Sequence, residues 1–521
     1  MINVNTSPEG EGFALIRLHG LGDVLREHRR SRPHLLAAVD GSQRLTWPQL
    51  DSRVNRLANV LRAQGIGQGG RILWMGQNSH RVLEGLLAAA KLGALFCPAN
   101  WRLSAAEMHH VLKDFAPSVV IWQAAEIGEQ VAAARDLDAQ ERLWIRHDGE
   151  GAEDYEARLA AAAEHDQELP ISGDAPLLAL YTAAFDGQPN AALLSHSALI
   201  SQALLLAYSQ SINPGTVFLN SGPLFHLGTL MSTLATFVFG GLNVFVARVD
   251  PEELLRNIAA ERVTHAFIAK PTLDRIREIN ADGRFDTSSL WSSPPAPEWN
   301  SPVVIPRDAP FNAAATVYGQ TELMGFAVMG WLGSGKGAGR TSPLAQLRIL
   351  DEAGNEVAPG EVGEIAFRGL QVMNGYLGRD LENARRTRDG WYRTNDLGKR
   401  LEDGSVAFVG PKVTMIKSGV ENIYPAEIEA CLRTLEGVRD VCVIGVPDPV
   451  WTQNVKAVVV LAEGHELSDL QVIEHCRTHL ASYKKPKLVA FVGELPRRPD
   501  GALDRAAVDV LHGGGGYPAA G

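Results

Sequence analysis

Apolar positions alternate between two spacings along the N-terminal part of the chain. Leu50, Val54, Leu57 and Leu61 recur at helical spacing, whereas Arg71–Met75 is an apolar run of strand length. The alternation continues and predicts, in order, a helix, a strand, a helix and two strands: Leu45–Leu61, Arg71–Met75, Val82–Leu92, Ala94–Pro98 and Val119–Trp122. Strands that alternate with helices predict an α/β fold, with a parallel sheet covered by helices on both faces.

The C-terminal part of the chain carries a second set of elements. Val441–Val446 and Val455–Leu461 are predicted strands, and Asp469–Leu480 is a predicted helix. With 521 residues, the chain is too long for one ordinary hydrophobic core. We therefore expect two or more domains.

Composition excludes several classes of function. The formal net charge of −11 argues against a nucleic-acid partner, and no apolar run reaches the ~18 residues of a membrane span. We expect a globular cytoplasmic protein without a membrane partner. The cysteines lack C-x-x-C spacing, which predicts neither a metal site nor a disulfide framework: Cys97, Cys431, Cys442 and Cys476.

The segment Val413–Glu429 reads VTMIKSGVENIYPAEIE. Its pattern predicts an extended Met415-Ile416, a tight turn at Lys417-Ser418-Gly419 and a helix beginning at Pro425. The string resembles the mobile-loop motif of the ANL superfamily of adenylate-forming enzymes, which includes acyl-CoA synthetases, adenylation domains and luciferases. In that motif, M-I-K-x-G-G-E-N-I-x-P-x-E-I-E follows a charged hinge.

Further segments extend this resemblance from about residue 15 to about residue 508. They match the family's phosphate loop, aromatic–histidine segment, Y-G-x-T-E motif, ribose motif and C-terminal lysine motif: LYTAAFDGQPNAALLSH at 180–196, NSGPLFHLG at 220–228, YGQTE at 318–322, GWYRTNDLG at 390–398 and PRRPDGALDR at 496–505. The resemblance implies a large N-terminal AMP-binding domain of stacked sheets and helices, residues 1–409. It also implies a smaller, mobile α+β C-terminal domain, residues 410–521.

The resemblance also assigns residues to the AMP moiety. Tyr318 would stack on adenine, Thr321 would bind the α-phosphate, and Asp396 would accept both ribose hydroxyls. Glu322 would hold Mg²⁺ if ATP were bound. The nucleotide-binding set is therefore Tyr318, Gly319, Thr321, Glu322 and Asp396.

A third group would serve the coenzyme A (CoA) thiol. By resemblance, the catalytic residues are His226, Lys417, Gly419 and Glu421, and the CoA-binding residues are Phe225, Ser418, Val420, Lys484 and Lys485. Two alternatives stay open at this point. His226 could be a buried histidine satisfied by backbone groups, and the lysine pair could be solvated rather than bound to CoA phosphates.

The departures from the family fall in the ATP-dependent machinery. Around the triphosphate, the family usually has small hydroxyl residues, glycine and lysine, and this chain has Ala183, Ala184, Phe185, Asp186 and Asn190. Pro411 replaces an arginine at the hinge, and Ala502 replaces the C-terminal lysine. A carboxylate repels pyrophosphate, and proline cannot grip ribose. Losing a transition-state stabiliser such as the lysine at 502 typically costs a factor of about 10²–10³ in rate.

The losses fall on the first half-reaction, in which acid and ATP give acyl-AMP. The residues for the second, in which the CoA thiol displaces AMP, are mostly kept. We therefore predict thioesterification of a preformed acyl-adenylate, with acyl-CoA and AMP as products, a pattern that resembles the non-adenylating acyl-CoA ligases of bacterial diterpenoid pathways. ATP and Mg²⁺ would not be used, and a separate adenylating ligase would supply the substrate. A conventional ATP-dependent ligase and an inactive binding protein are the alternatives, and a homodimer is left open.

Overall fold

The computed structural model of this protein describes residues 18–182, 189–290, 303–304, 317–330, 338–419, 421–498 and 501–517. Five positions named above lie outside these residues: Ala183, Ala184, Phe185, Asp186 and Val420.

The described strands are, in chain order, β1 Leu36–Asp40, β2 Gln43–Thr46, β3 Arg71–Met75, β4 Leu95–Pro98, β5 Val119–Trp122, β6 Leu143–Arg146, β7 Pro176–Thr182, β8 Asn190–Ser195, β9 Val217–Asn220, β10 Leu242–Phe245, β11 His265–Phe267, β12 Val303–Val304, β13 Val317–Gln320, β14 Gly325–Met329, β15 Ala338–Thr341, β16 Ala345–Leu350, β17 Val362–Gly369, β18 Gly375–Tyr376, β19 Thr387–Arg388, β20 Trp391–Arg400, β21 Val406–Pro411, β22 Ile416–Ser418, β23 Glu421–Ile423, β24 Val438–Asp448, β25 Thr452–Leu461 and β26 Leu488–Val492.

The described α-helices are α1 Leu21–Ser31, α2 Trp47–Ala63, α3 His80–Leu92, α4 Ala105–Phe115, α5 Gly128–Asp136, α6 Tyr155–Ala161, α7 His196–Gln210, α8 Leu227–Val238, α9 Pro251–Glu261, α10 Lys270–Ile279, α11 Asp380–Arg386, α12 Pro425–Leu432, α13 Asp469–His479 and α14 Arg505–Leu511. None of these helices is long and apolar enough to cross a membrane.

The strands form four sheets within the described residues. Three belong to the larger part of the chain, in the orders β18-β8-β7-β4-β3-β5-β6, β12-β11-β9-β10-β1-β2 and β13-β14-β15-β21-β20-β17-β16, with β19 on β20. The fourth has the order β23-β22-β25-β24, with β26 on β25. The α/β fold with a large N-terminal and a small C-terminal domain is confirmed. The boundary at residues 409 and 410 stays a prediction.

The early elements match the sequence pattern closely. Helix α2 begins after Thr46, and two reciprocal hydrogen bonds cap it. The Gln49 backbone N–H donates to the Thr46 hydroxyl at 3.4 Å, and the Thr46 backbone N–H donates to the Gln49 side-chain oxygen at 2.8 Å. Strands β4, β3, β5 and β6 run parallel, as expected. The sheet is mixed rather than wholly parallel because β7 and β8 are adjacent antiparallel strands, with residues 183–189 between them.

The small domain packs helices α12 and α13 against its sheet. Ile428 and Leu432 of α12 share a buried cluster with Val472 and Cys476 of α13. Helix α12 begins at Pro425, as predicted. Proline is tolerated there because the backbone N–H groups of a first helical turn have no acceptor within the helix. The predicted turn at Lys417-Ser418-Gly419 was wrong in its position. Lys417 and Ser418 belong to β22, and only Gly419 among the three lies in the turn before β23.

Candidate active site

The hairpin of β22 and β23 carries the predicted thiol-site residues. Lys417 pairs with Asn422 and Ser418 pairs with Glu421 across the hairpin. Gly419 has φ of +59°, its N–H donates to the Trp451 carbonyl at 2.7 Å, and a Cβ would lie 3.1 Å from the Trp451 ring. Glycine is therefore required at this turn for both its backbone angle and its close packing.

Glu421 connects the hairpin to the large domain. Its carboxylate oxygens lie 3.0 and 3.1 Å from Nε2 of His226, the residue that precedes α8. Burial opposes ionisation of Glu421, but the hydrogen bond from His226 and the charges of nearby cations hold its pKa below the usual value. His226 is thus paired with a side chain across the two domains, and the alternative of a buried histidine satisfied by backbone groups is not supported.

Other predicted thiol-site residues surround this pair. The Phe225 ring lies 4.9 Å from the His226 ring, and the Arg102 guanidinium lies over Phe225 at 5.7 Å. Arg102 also approaches Glu421 to within 3.8 Å. The Lys417 ammonium donates to the Asn422 side chain at 2.8 Å, and burial lowers its pKa. The hairpin, Phe225 and His226 therefore form one polar and aromatic cluster.

The predicted ribose site lies on β13 and β20. The Tyr318 hydroxyl donates to Asp396 at 2.8 Å, and the Gln320 side-chain amide donates to the same carboxylate oxygen. Burial raises the pKa of Asp396 to about 6 despite these hydrogen bonds. The Tyr318 ring lies near the rings of Phe367 and Phe408, with ring centroids 6.1 and 5.6 Å away. This arrangement presents a carboxylate acceptor beside an aromatic surface, as a nucleoside requires.

Glu322 is enclosed rather than exposed to a metal. It is 3% exposed, accepts the Tyr376 hydroxyl at 2.8 Å, and has a pKa raised by burial. An enclosed carboxyl that already accepts a hydroxyl is a poor Mg²⁺ ligand. The residues present in this arrangement therefore do not fit the Mg²⁺ role that the resemblance gives Glu322. Thr321 opens the short 3₁₀ turn Thr321–Leu323 that carries Glu322.

Two backbone positions in the nucleotide site have clear local causes. A Cβ on Gly319 would lie 1.8 Å from the Gly325 carbonyl oxygen, so glycine allows β13 and β14 to approach. Asn395, which stands where the family has glycine, has φ of +63°. Asparagine tolerates this left-handed conformation better than most residues, and the substitution therefore keeps the local backbone.

The described positions of the lost adenylation set are occupied by other interactions. Asn190 is buried, and its side-chain oxygen accepts Nε of Arg379 at 3.0 Å, while Arg379 pairs with Asp114 at 2.6 Å. Pro411 lies directly across from Asp396 in the register of β20 and β21. Ala502 is exposed, and its carbonyl accepts the Arg498 N–H at 2.8 Å.

Arg497 does not replace the missing lysine in this arrangement. Its guanidinium pairs with Asp440 at 2.5 Å and donates to the Gly501 carbonyl at 3.0 Å. Both partners belong to the C-terminal part of the chain. Arg497 is therefore held by its own domain and does not take the place of a lysine at position 502.

The prediction for Lys484 needs correction. Its ammonium is buried and lies 2.6 Å from Glu427 and 2.9 Å from Glu107, so it bridges α12 and α4 instead of facing CoA phosphates or solvent. Two nearby carboxylates compensate the burial of a cation, which explains this placement. Lys485 is only partly buried and donates to Ser482 at 2.9 Å, so its predicted CoA contact stays a prediction.

A cavity of about 420 Å³ opens beside Asn190. Its lining includes Arg386, Arg393 and Lys412, which pair with Glu382 or Glu364 at 2.6–3.3 Å. These three cations share two carboxylates, which neutralise their charge only in part. The cavity therefore offers less positive charge to a polyphosphate than its composition indicates.

Several residues at the site were missed from the sequence. Gln320 occupies the variable position of Y-G-x-T-E, and Arg379 belongs to no motif that we recognised. Tyr517 follows the four glycines Gly513–Gly516, yet its ring meets Phe408 edge-on at 5.9 Å. The tail reaches this place because the Gln453 amide donates to the Gly516 carbonyl at 2.7 Å. A glycine-rich tail gives no sequence signal for such a contact.

Comparison with known proteins places this geometry in a family. The AMP-binding enzyme family matches residues 25–377, and its C-terminal domain matches residues 427–501. The chain belongs to the AMP-binding enzymes of the ANL superfamily. It is similar to a feruloyl-CoA synthase of Amycolatopsis, with 35% identity over 95% of this chain and 99% of the relative. An indoleacetate–CoA ligase of Aromatoleum aromaticum is 34% identical, over 94% and 98% of the two chains.

Solved structures agree on the fold. An amide bond synthetase from Marinactinospora thermotolerans superposes with a TM-score of 0.79 at 22% identity, over 95% of this chain and 99% of the other. A Mycobacterium tuberculosis fatty acyl CoA synthetase gives a TM-score of 0.65 at 28% identity, over 95% and 98%. The family match and the relatives at 35% and 34% identity show that the protein is an enzyme of the acid–CoA ligase family. The named activities of the relatives favour the conventional ATP-dependent ligase over the non-adenylating reaction.

Proposed function

We propose that this enzyme forms acyl-CoA thioesters by attack of the CoA thiol on an acyl-adenylate, releasing AMP. The observation that carries the proposal is the contact of Glu421 with His226, which seats the β22–β23 hairpin against the large domain. This half-reaction is common to the conventional ligase and to the non-adenylating enzyme.

His226 and Glu421 are suited to general base catalysis. Because Glu421 is an acceptor, Nε2 of His226 must carry the hydrogen that joins them, which leaves the lone pair on Nδ1. The carboxylate orients the imidazole and stabilises the imidazolium that forms. In the proposed step, Nδ1 accepts the thiol proton, the sulfur forms a bond to the acyl carbon, and the bond from that carbon to the AMP oxygen breaks.

The nucleotide site supports binding of the AMP moiety. Asp396 would accept the ribose hydroxyls, and Tyr318 and Phe408 would offer an aromatic surface to adenine. AMP as a leaving group bears one phosphate, so it needs no triphosphate cradle. Positioning of the adenylate and the thiol is then the main contribution of the protein.

The source of the adenylate separates two candidate functions. The relatives support the conventional reaction, in which the same enzyme makes the adenylate from acid and ATP. Three features of this chain support the use of a preformed adenylate: Ala502, the pairing of Asn190 with Arg379, and the enclosed Glu322. We therefore propose that adenylation is slowed by at least about 10²-fold, the typical effect of losing one electrostatic stabiliser. A separate adenylating enzyme would then supply the substrate.

One comparison tests both parts. The protein is mixed with CoA and either a synthetic acyl-adenylate or the matching acid with ATP and Mg²⁺, with feruloyl and indoleacetyl groups as first probes. We expect thioester from the adenylate at a rate at least about 100 times that from acid and ATP. Equal rates would establish the conventional ligase. Absence of thioester from every adenylate in a broad acyl panel, despite measurable adenylate binding, would support a binding protein.

A further inference from the structure

A cluster of sulfur and nitrogen ligands lies in the small domain, away from the residues assigned to catalysis. Cys431 on α12 and His475 and His479 on α13 each offer a ligand atom, and these atoms lie within 4.8 Å of one another. The two histidines are four positions apart on one helix, and their rings lie 4.3 Å apart. Cys476, beside His475 in the chain, is buried and hydrogen-bonded to Cys431.

The hydrogen bonds of the two histidines determine which nitrogens can bind a metal. Nε2 of His475 lies 3.1 Å from the Cys431 carbonyl, and Nδ1 of His479 lies 2.8 Å from the His475 carbonyl. A carbonyl only accepts, so these nitrogens carry hydrogen and the lone pairs lie on Nδ1 of His475 and Nε2 of His479. Backbone carbonyls orient metal-binding histidines in this way in many proteins.

We propose that Cys431, His475 and His479 form a binding site for a divalent metal ion of the zinc class. One thiolate and two imidazoles suit Zn²⁺, which takes four tetrahedral ligands, and the fourth position would hold water. Ligand atoms around one Zn²⁺ lie about 3.3–3.7 Å apart, given the usual bond lengths. The cluster must therefore contract by about 1 Å, and the exposed His479 side chain has room to make that change.

The site also has a place in the architecture of the catalytic hairpin. Helix α12 begins directly after the hairpin, and the His479 carbonyl at the end of α13 accepts the Ser104 hydroxyl of the large domain at 3.0 Å. A metal held by both helices would fix the hairpin-bearing helix to the helix that touches the large domain. Local spacing does not predict this site, because 44 positions separate Cys431 from His475.

Titration of the reduced, full-length protein with Co²⁺ tests the site. Cobalt bound to a thiolate shows a near-ultraviolet charge-transfer band, and Zn²⁺ should displace the cobalt and remove the band. We expect one Co²⁺ per chain, no such band in Cys431→Ser, and at least about 10-fold weaker binding in His479→Asn, since even outer-shell changes cost 10–100-fold. His465→Asn, which removes an exposed histidine outside the cluster, should bind as the wild type does.

The variants also separate loss of ligation from loss of structure. Thermal unfolding without metal should be similar for the wild type and His479→Asn, because the latter side chain is exposed. The proposal is overturned if wild-type protein shows no charge-transfer band, if Cys431→Ser retains it, or if His479→Asn and His465→Asn bind Co²⁺ equally.

Discussion

The Glu421 carboxylate and the His226 imidazole are hydrogen-bonded across the two domains, at 3.0 and 3.1 Å. The carboxylate comes from the second strand of a short hairpin, and the imidazole comes from the residue before α8. The pair therefore exists only when the small domain lies in this orientation. The position of the hairpin therefore determines which imidazole nitrogen of His226 carries the hydrogen.

Substitution of His226 tests the proposed base. We expect His226→Ala to slow thioester formation from an acyl-adenylate by at least about 10²-fold, the lower end of general acid–base contributions. AMP binding should change little, because the substitution leaves Asp396 and Tyr318 in place. Rapid-quench kinetics and calorimetry measure the two quantities. Unchanged thioester formation would exclude His226 as the base.

Glu421→Gln separates orientation from charge. The glutamine oxygen can still accept from Nε2 of His226, but it cannot stabilise a positive imidazolium. We therefore expect a slower reaction than in the wild type, measured with the same adenylate. An unchanged rate would mean that the charge of Glu421 has no part in the chemistry.

Restoring one lysine should not restore adenylation. Ala502→Lys returns a cation to the C-terminal motif, but Asn190 and the replaced phosphate-loop residues remain. We expect ATP–pyrophosphate exchange to rise less than about 10-fold, well short of the 10²–10³-fold effect of one stabiliser in a complete site. Ala502→Arg is the matched control for charge alone. Strong exchange in Ala502→Lys would show that the phosphate loop is competent.

Asp396 predicts a stability that depends on pH. Its pKa is about 6 in the folded protein and near 3.8 in the unfolded chain, where burial is absent. Between pH 4 and pH 6, Asp396 is ionised in the unfolded chain but still mostly protonated in the folded protein. The free energy of unfolding therefore falls as pH rises through this range. Asp396→Asn should therefore raise the melting temperature of the nucleotide-free protein at pH 7.5 and have little effect near pH 4. AMP binding should weaken in the same variant, which calorimetry can measure.

Alanine substitutions at Lys484 and at its neighbour Lys485 test how much the buried lysine bridge contributes to stability. Lys484→Ala leaves Glu427 and Glu107 without their buried cation, and loss of one partner from such a pair typically costs about 3–5 kcal/mol. Lys485→Ala removes a partly buried lysine that contacts Ser482, and we expect a change within about 0.5 kcal/mol. Chemical denaturation compares the two. Equal effects would mean that the Lys484 bridge adds no stability.

The elements were more predictable than their contacts. Strand β3 and helix α2 follow from apolar spacing because that spacing reflects which face is buried. The turn beside Gly419 was placed too early because the local string does not reveal that Lys417 pairs with Asn422. Lys484 was misassigned because its partners come from two distant helices. The cluster of Cys431, His475 and His479 also depends on packing between helices, which local spacing cannot specify.

Helix α4 can separate from the small domain without leaving the charge of Glu107 or Lys484 unpaired. Glu107 also accepts the backbone N–H of Ser104, at 2.9 Å, within its own helix cap. Lys484 keeps Glu427 within its own domain. After separation, Glu107 would keep the Ser104 N–H and Lys484 would keep Glu427, so neither surface would hold an isolated ion.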